Sequence, residues 1–333
     1  MKKVILIVDP PREITYADLS RHDMEGYTPL EIKETIKAIK TFAPCVLYTD
    51  VQKFMRKAWM HKNDLVFPMM WGRGTRNTKA ILPAICEAKH MSYIGADSYT
   101  QTLCFDKVLA KKYANIFEFK TPSGYLLFDF QSDEELNRIL HHLKLPIIVK
   151  PNFGGGSCGI SNRNLVDTYD GAFQLVKELF ANQYNPLLAE EYVDGYEISI
   201  LLLGNHKTIA YSGESQLVID NETYFSHKIW GYETKKVDFQ RAHYQICHLL
   251  SDEEHDKAAR LFLSLPKAEY LRIDGRLNNR GFYVLELSAD CYLGPNSDFG
   301  ALFESAGKSH ADLMYFLAEN ALRPHTGRDS PIT

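Results

Sequence analysis

Two apolar runs, Leu271-Arg-Ile-Asp-Gly-Arg-Leu277 and Gly281-Phe-Tyr-Val-Leu-Glu-Leu-Ser-Ala-Asp290, meet at a polar break of Asn278, Asn279, Arg280 and Gly281. This pattern specifies a β-hairpin with a polar turn. Side chains alternate along a strand, so Arg272, Asp274 and Arg276 share one face of the first strand. Glu286, Ser288 and Asp290 share one face of the second. Pairing therefore brings carboxylates together beside a guanidinium. A divalent cation between the acids relieves their repulsion, and a few hard oxygen ligands with room left for water and phosphate suit Mg²⁺. A salt-bridged, solvated sheet face is the other reading of the same residues.

The chain has 333 residues, 45% hydrophobic and 24% charged, enough for two or three compact units. Lys and Arg total 38 against 42 Asp and Glu, a formal net charge of -4, and no dense basic run suggests a nucleic-acid surface. Cys45, Cys86, Cys104, Cys158, Cys247 and Cys291 are scattered without a CxxC pair, which reads as free packing thiols. No apolar run reaches the roughly 18 residues of a membrane span, and the N-terminus enters a strand without a signal-peptide pattern. A cytoplasmic location is expected.

Lys3-Val-Ile-Leu-Ile-Val8 is continuously apolar and closes at Asp9, Pro10 and Pro11, as a strand buried on both faces of a parallel sheet does. Residues 29–41 and 79–89 read as helices. Val46 to Tyr48, Leu65 to Phe67 and Ser92 to Ile94 read as strands, so the first hundred residues form an open α/β unit. Two of its loops stand out. Asp9 to Glu13 contains Arg12, and Trp71-Gly-Arg-Gly-Thr-Arg-Asn77 offers Arg73 and Arg76 to an anion, or is a solvated turn.

Leu103 to Tyr113 reads as one helix containing Asp106 and Lys107, followed by a junction at Thr121-Pro-Ser-Gly124. A helix over residues 133–142 precedes the strand Pro146-Ile-Ile-Val-Lys150. Pro151-Asn-Phe-Gly-Gly-Gly-Ser-Cys-Gly159 then supplies glycines that can turn N–H groups toward phosphate, although the GK[ST] ending of a Walker A loop is absent. Residues 170–181 read as a helix and Leu187 to Val193 as a strand. Glu197 to Leu203 and Lys207 to Tyr211 form a hairpin turning at Gly204-Asn205. Residues 251–263 are helical with acids at the start.

The order of these signals is a strand ending in Lys150, a glycine and serine loop, Glu190-Glu-Tyr-Val193 with Glu197 beyond, and the carboxylate hairpin. It resembles the ATP-grasp superfamily, and within it the D-alanine:D-alanine ligase family. The resemblance rests on Ile148-Val-Lys-Pro151 with Gly156-Ser-Cys-Gly-Ile160, on Glu190 to Ser199, and on Arg272-Ile-Asp-Gly-Arg276 with Tyr283-Val-Leu-Glu286. It implies a mixed α/β and α+β fold. An N-terminal open parallel α/β (pre-ATP-grasp) domain would span residues 1–120. A two-subdomain ATP-grasp fold would follow, its central part at 121–193 and its C-terminal part, with the hairpin, at 194–333.

The resemblance further implies ATP and Mg²⁺ as cofactors and a small-molecule carboxylate and amine as substrates. Lys107 and Lys150 match lysines that hold nucleotide phosphates, and Gly155, Gly156 and Ser157 match the loop that covers them. Glu190, Glu191, Tyr192 and Val193 match a hinge whose backbone meets adenine, and Glu197 matches a ribose carboxylate. Asp274 and Glu286 match magnesium ligands, and Arg272 an arginine beside the reacting carbonyl. Lys228 matches a mobile-loop lysine facing the γ-phosphate, and Ser297 a serine that contacts the second substrate's carboxylate. The family is commonly dimeric, though no stretch marks an interface.

Several positions depart from the family. Asp9-Pro10-Pro11-Arg12-Glu13 replaces a glycine-rich segment whose glutamate engages the first amino acid, with Glu13 a candidate stand-in. Arg73 and Arg76 replace acids, which predicts a substrate of different charge. Ser288 replaces a metal-binding asparagine, so Asp290 is expected to compensate. Cys291-Tyr292 replaces a Pro-Gly that helps form the oxyanion site. The expected function is an ATP-dependent amide-forming ligase acting through an acylphosphate on amino-acid-like substrates other than D-alanine pairs. D-alanine:D-alanine ligase itself, and a nucleotide-binding protein without ligase activity, are the alternatives.

Overall fold

The computed structural model describes residues 3–10, 27–70, 77–156, 159–229, 231 and 241–323. Arg12, Glu13, Arg73, Arg76, Ser157 and Cys158 lie outside the described residues.

β1 (Val4–Val8) is buried at every position because it is central, pairing in parallel with β2 (Cys45–Tyr48) and β3 (Leu65–Met69). α1 (Pro29–Ile39) starts with a capping box, Thr28 accepting from Glu31 N–H while Glu31 accepts from Thr28 N–H at 2.6 Å. α2 (Val51–Lys57) and α3 (Thr78–Ala88) follow. The strand expected at Ser92 to Ile94 is a single parallel bridge, Tyr93 to Val66. The helix expected from Leu103 to Tyr113 is two, α4 (Ser98–Phe105) and α5 (Lys107–Ile116). Asp106 breaks it: its backbone is extended, and its carboxylate caps α5 at Leu109 N–H, 3.0 Å away.

The second sheet is antiparallel and contains β4 (Gly124–Leu127), β5 (Ile147–Pro151), β6 (Leu165–Val166) and β7 (Leu187–Glu191), in the order β4-β7-β5-β6. α6 (Asp133–Leu140) and α7 (Tyr169–Ala181) put Leu136, Leu140, Val176 and Leu179 into one core with Val149 and Ala189 of the sheet.

The third sheet holds β8 (Gly195–Asn205), β9 (Thr208–Ile219), β10 (Tyr224–Phe225), β11 (Ala242–Cys247), β12 (Tyr270–Asn278) and β13 (Gly281–Ser288). Its order is β11-β9-β8-β12-β13, with β10 on β8. One side buries Ile198, Ile200, Leu271, Ile273 and Phe282 with α8 (Asp252–Ser264) and α5. The other side buries Leu201, Leu203 and Tyr270 with β1, α9 (Asp298–Ser305) and α10 (His310–Leu322). These last two helices have no counterpart in the expectations drawn from the sequence. The chain turns into β8 at Gly195, whose φ of 144° lies in the region that favours glycine.

The hairpin forms as expected, with one irregularity. Asp274 pairs with Glu286 and Gly275 with Val284, so Leu285 is an extra, bulged residue. The bulge reverses the alternation: Phe282, Val284 and Leu287 all face the core although their spacing in sequence is uneven. Gly275 is required opposite, because a Cβ there would collide with the Phe282 ring.

Candidate active site

Five of the expected residues, Lys107, Lys150, Gly155, Gly156 and Glu190, form a cradle between β5, β7 and α5. Lys107, the first residue of α5, is 4% exposed and donates from Nζ to Gly154 O at 2.6 Å. The helix is locked to the glycine loop by Asn152, whose Nδ2 donates to Asp106 at 2.9 Å and whose Oδ1 accepts from Val108 N–H at 3.1 Å. Gly155 and Gly156 lie in that loop, Gly156 with a φ of 60°.

Lys150, next to last in β5, ion-pairs with Glu190 on the neighbouring β7, and Lys111 pairs with the same carboxylate. Glu190 is 1% exposed. Burial alone would raise its pKa, but the two lysines outweigh that and hold it below the usual carboxylate range. The triad carries one buried positive charge in excess, and burial draws Lys111 down to about 8 against the attraction of Glu190. The expectation for Glu190 was backbone contact only, so its side-chain role and Lys111 were both missed. Glu191 points elsewhere, accepting from Lys144 N–H at 3.1 Å.

Beyond β7 the hinge segment is held by one guanidinium. Arg276, 2% exposed, donates to the Tyr192 hydroxyl at 2.8 Å, to Glu197 at 3.0 Å, and to the carbonyls of Val193, Phe225 and Lys228. Glu191 N–H and Tyr192 N–H are taken by Ser123 O and Pro146 O, whereas no described residue engages Val193 N–H. That leaves the backbone at Val193 available to a ligand beside Glu197. Lys228 sits close by, its Nζ 3.2 Å from Glu222.

The hairpin carries the third group. Arg272 clasps Asp274 with Nε at 2.7 Å and Nη2 at 3.0 Å, and reaches Asp298 with Nη1 at 2.9 Å. Burial works against its charge, but the two acids outweigh it and raise the arginine pKa. Ser199 and Ser288 also donate to Asp274, at 2.8 and 3.2 Å. Glu286 stands opposite Asp274 and has no hydrogen bond or ion pair with any described residue.

Two expected residues fall outside this group. β13 ends at Ser288, so Asp290 does not continue the strand face, and its carboxylate is paired with Lys79 of α3. Ser297 is 3% exposed, and its hydroxyl donates to Gly294 O at 2.7 Å and accepts from Gly300 N–H at 3.0 Å as the α9 N-cap. Its proton is committed within the chain. A separate cleft of about 750 Å³, lined by Glu87, Tyr93, His206 and Lys267 among others, contains none of the expected residues.

Residues 127–319 match the family described as D-ala D-ala ligase C-terminus. The chain belongs to that family. It is an ATP-grasp ligase of the carbon–nitrogen bond-forming, ADP-producing class, as the motif order implied. It is 28% identical over 270 residues to the D-alanine–D-alanine ligase of Thermoanaerobacter sp. (strain X514), covering 79% of this chain and 72% of that one. It is 26% identical over 307 residues to the enzyme of the same name from Pseudothermotoga lettingae, covering 89% and 95%. The fold agrees with that of the Bacillus anthracis D-alanine–D-alanine ligase complexed with ATP, with a TM-score of 0.72 at 18% identity over 98% and 99% of the chains. VanG D-Ala:D-Ser ligase from Enterococcus faecalis has a TM-score of 0.67 at 16% identity over 96% and 99%.

Members of the family use ATP and Mg²⁺, and the donor set fits the ion. No group of three or more His, Cys, Asp or Glu among the described residues could hold a metal by itself. Mg²⁺ commonly takes one or two carboxylates and completes its shell with phosphates and water, which matches an unengaged Glu286 facing Asp274. Like charges opposed across a strand pair are destabilising without such an ion. No helix among the described residues is long and apolar enough to cross a membrane, and Cys45, Cys86, Cys104, Cys247 and Cys291 are free thiols.

Proposed function

We propose that the chain joins a small carboxylate to an amine, activating the carboxylate as an acylphosphate. The observation that carries this reading is the pairing of a lysine cradle, Lys107 and Lys150, with an unengaged Glu286 opposite an arginine-clasped Asp274. Side chains of the kinds that bind phosphate and a divalent ion thus occur in one chain of an ATP-dependent family, which supports this reading.

In this reading residues 1–120, 121–193 and 194–333 are the three units, with nucleotide between the second and third. Lys107, Lys150 and the loop of Gly155, Gly156 and Ser157 hold the phosphates. The backbone of the segment from Glu190 to Val193 meets adenine, and Glu197, oriented by Arg276, meets the ribose. Glu190 serves by setting the spacing and charge of Lys111 and Lys150. Asp274 and Glu286 hold Mg²⁺, which when bound neutralises the phosphates and favours phosphoryl transfer. Lys228 faces the γ-phosphate once released from Glu222.

Phosphoryl transfer to the donor carboxylate releases ADP. The amine nitrogen then bonds to the acyl carbon, the carbon–oxygen bond to phosphate breaks, and inorganic phosphate leaves while the nitrogen gives its proton to solvent. Arg272 retains two N–H groups, since three of the five on a guanidinium are used, and these stabilise the oxygen that becomes anionic.

The relatives' names make D-alanine the first donor to try and D-alanine:D-alanine ligation the second reading. Phosphate release from Mg²⁺-ATP over D- and L-amino acids, singly and in pairs, with product masses, tests both. A product mass equal to the two substrates less water supports ligation and names them. ATP binding without turnover on any pair would overturn ligation in favour of a nucleotide-binding role.

A further inference from the structure

We infer that one exposed face beside the first sheet docks on an anionic lipid bilayer, lying on its surface without crossing it. The face belongs to α2 and to the short helical turn Ala58–His61 that follows it, and neither carries a residue of the candidate active site. The inference is independent of the ligase reading.

Phe54, Ala58 and His61 are buried and recur at i, i+4 and i+7, so they form the inward stripe. The residues between them face out. Trp59 is 77% exposed and Met60 58% exposed, although both are large apolar side chains that a core would bury with gain. The turn is held this way from beneath. His61 Nδ1 lies 3.0 Å from Asp64, its Nε2 lies 2.9 Å from the Tyr48 hydroxyl, and its ring stacks on Phe54. With Ala58 and His61 both anchored inward, the pair between them is fixed outward.

Lys53, Arg56, Lys57 and Lys62 are exposed around this pair, and residues 51–63 contain no acid. Among the described residues no carboxylate pairs with any of the four. The flanking acids are engaged elsewhere, Asp50 in capping α2 through Gln52 and Lys53 N–H, and the buried Asp64 with His61. The whole chain has a formal charge of -4, so the cluster runs against its overall sign. α2 and the turn lead from the end of β2 to the start of β3 in a parallel sheet, which puts Trp59, Met60 and Lys62 at the edge where the strands begin. Residues 11–26 and 71–76, outside the described residues, follow β1 and β3 and so leave the sheet from its other edge.

The helix dipole accounts for Arg56 and Lys57 in the last turn of α2, but not for Lys53, Lys62 or an exposed tryptophan. An anionic bilayer accounts for all of them. Tryptophan favours the boundary between headgroups and hydrocarbon, a methionine chain inserts without a shaped pocket, and lysine and arginine extend their heads to lipid phosphates. A second copy meeting this face about a two-fold axis would set the same four cations against themselves.

Sedimentation of the full chain with vesicles tests this, using phosphatidylcholine alone and phosphatidylcholine with phosphatidylglycerol in equal parts. Binding to the anionic vesicles is expected to exceed binding to the neutral ones at least tenfold at about 0.05 M salt, and to be lost at about 0.5 M. Joint replacement Arg56→Gln and Lys57→Gln should weaken it about 25-fold, roughly fivefold for each cation. Trp59→Ala should weaken it about tenfold. All three positions are exposed, so both variants should keep the wild-type urea midpoint.

Absence of binding to anionic vesicles at the lower salt overturns the inference, as does equal binding by wild type and both variants. A dimer that Trp59→Ala disperses, without vesicle binding, overturns it by giving the face to a second copy. Retention on immobilised polyglutamate that both variants lose, again without vesicle binding, overturns it in favour of an acidic protein.

Discussion

Asp274 stands directly opposite Glu286 across the hairpin, and among the described residues an arginine holds Asp274 but not Glu286. Glu286→Gln therefore removes a repulsive charge from the fold while removing a metal ligand from the site. The expected result is a urea midpoint equal to or above wild type, with Mg²⁺-ATP turnover reduced by two to three orders of magnitude, about 3–4 kcal/mol. A variant that loses stability while keeping turnover would show that Glu286 is structural.

Arg276 holds Tyr192, Glu197 and three backbone carbonyls from one buried guanidinium. Lysine has three donors on a single nitrogen and cannot span that fork. Arg276→Lys should cost about 2–4 kcal/mol of stability, because partners are left buried and unsatisfied, and should raise KM for ATP more than it lowers kcat. Urea denaturation and ATP titration read the two effects. Wild-type stability in the variant would disprove the account.

Lys111 is drawn to about 8 by burial, whereas in the unfolded chain a lysine titrates near 10.4. Between these values the unfolded state binds more protons, so the Lys111 contribution to stability rises with pH. Relative to Lys111→Met, the wild type should gain at most about 1.4 kcal/mol per pH unit from pH 8 to 10, and show no slope between pH 6 and 7. Phosphate beside the cradle favours the charged lysine, so ATP binding at pH 8.5 should take up protons. Titrations in buffers of differing ionisation enthalpy measure that uptake, and zero uptake would contradict it.

Asp290 pairs with the buried Lys79 and lies beyond the end of β13. Asp290→Asn should destabilise the fold by about 3 kcal/mol by leaving Lys79 without its carboxylate, with the Mg²⁺ concentration for half-maximal activity unchanged. A weakened Mg²⁺ response at unchanged stability would restore the metal role that its position in the sequence suggested.

What was legible in the sequence was local or carried by motif order. Alternation identified the hairpin, the continuous apolar run identified β1, and the ordered motifs identified the superfamily and drew attention to Lys107 and Lys150. What was not legible depends on contacts between distant residues. Lys111 meets Glu190 across 79 positions, and no spacing rule links them. Asp290 was assigned to a strand face on parity, but β13 ends two residues earlier and α3 supplies its partner. Asp106 lies within a helical pattern, and only its bond to Asn152 and its cap on Leu109 make the break there intelligible. α9 and α10 follow a stretch rich in Gly, Pro, Asn and Ser that reads as loop, and they are set by packing on Leu201, Leu203 and β1.

The bulged Leu285 also bears on how this hairpin can change over generations. Its removal by a single-codon deletion would put Val284 beside Glu286 in an unbroken ladder, with Phe282, Val284 and Leu287 still facing inward. Pairing would therefore tolerate the shorter gene. Twist would not, because a bulge bends its strand and re-aims the neighbouring side chain. The extra residue thus sets how the strand bends at Glu286, and a chain that lacked it would keep the pairing with Asp274 while changing the angle at which the two carboxylates meet.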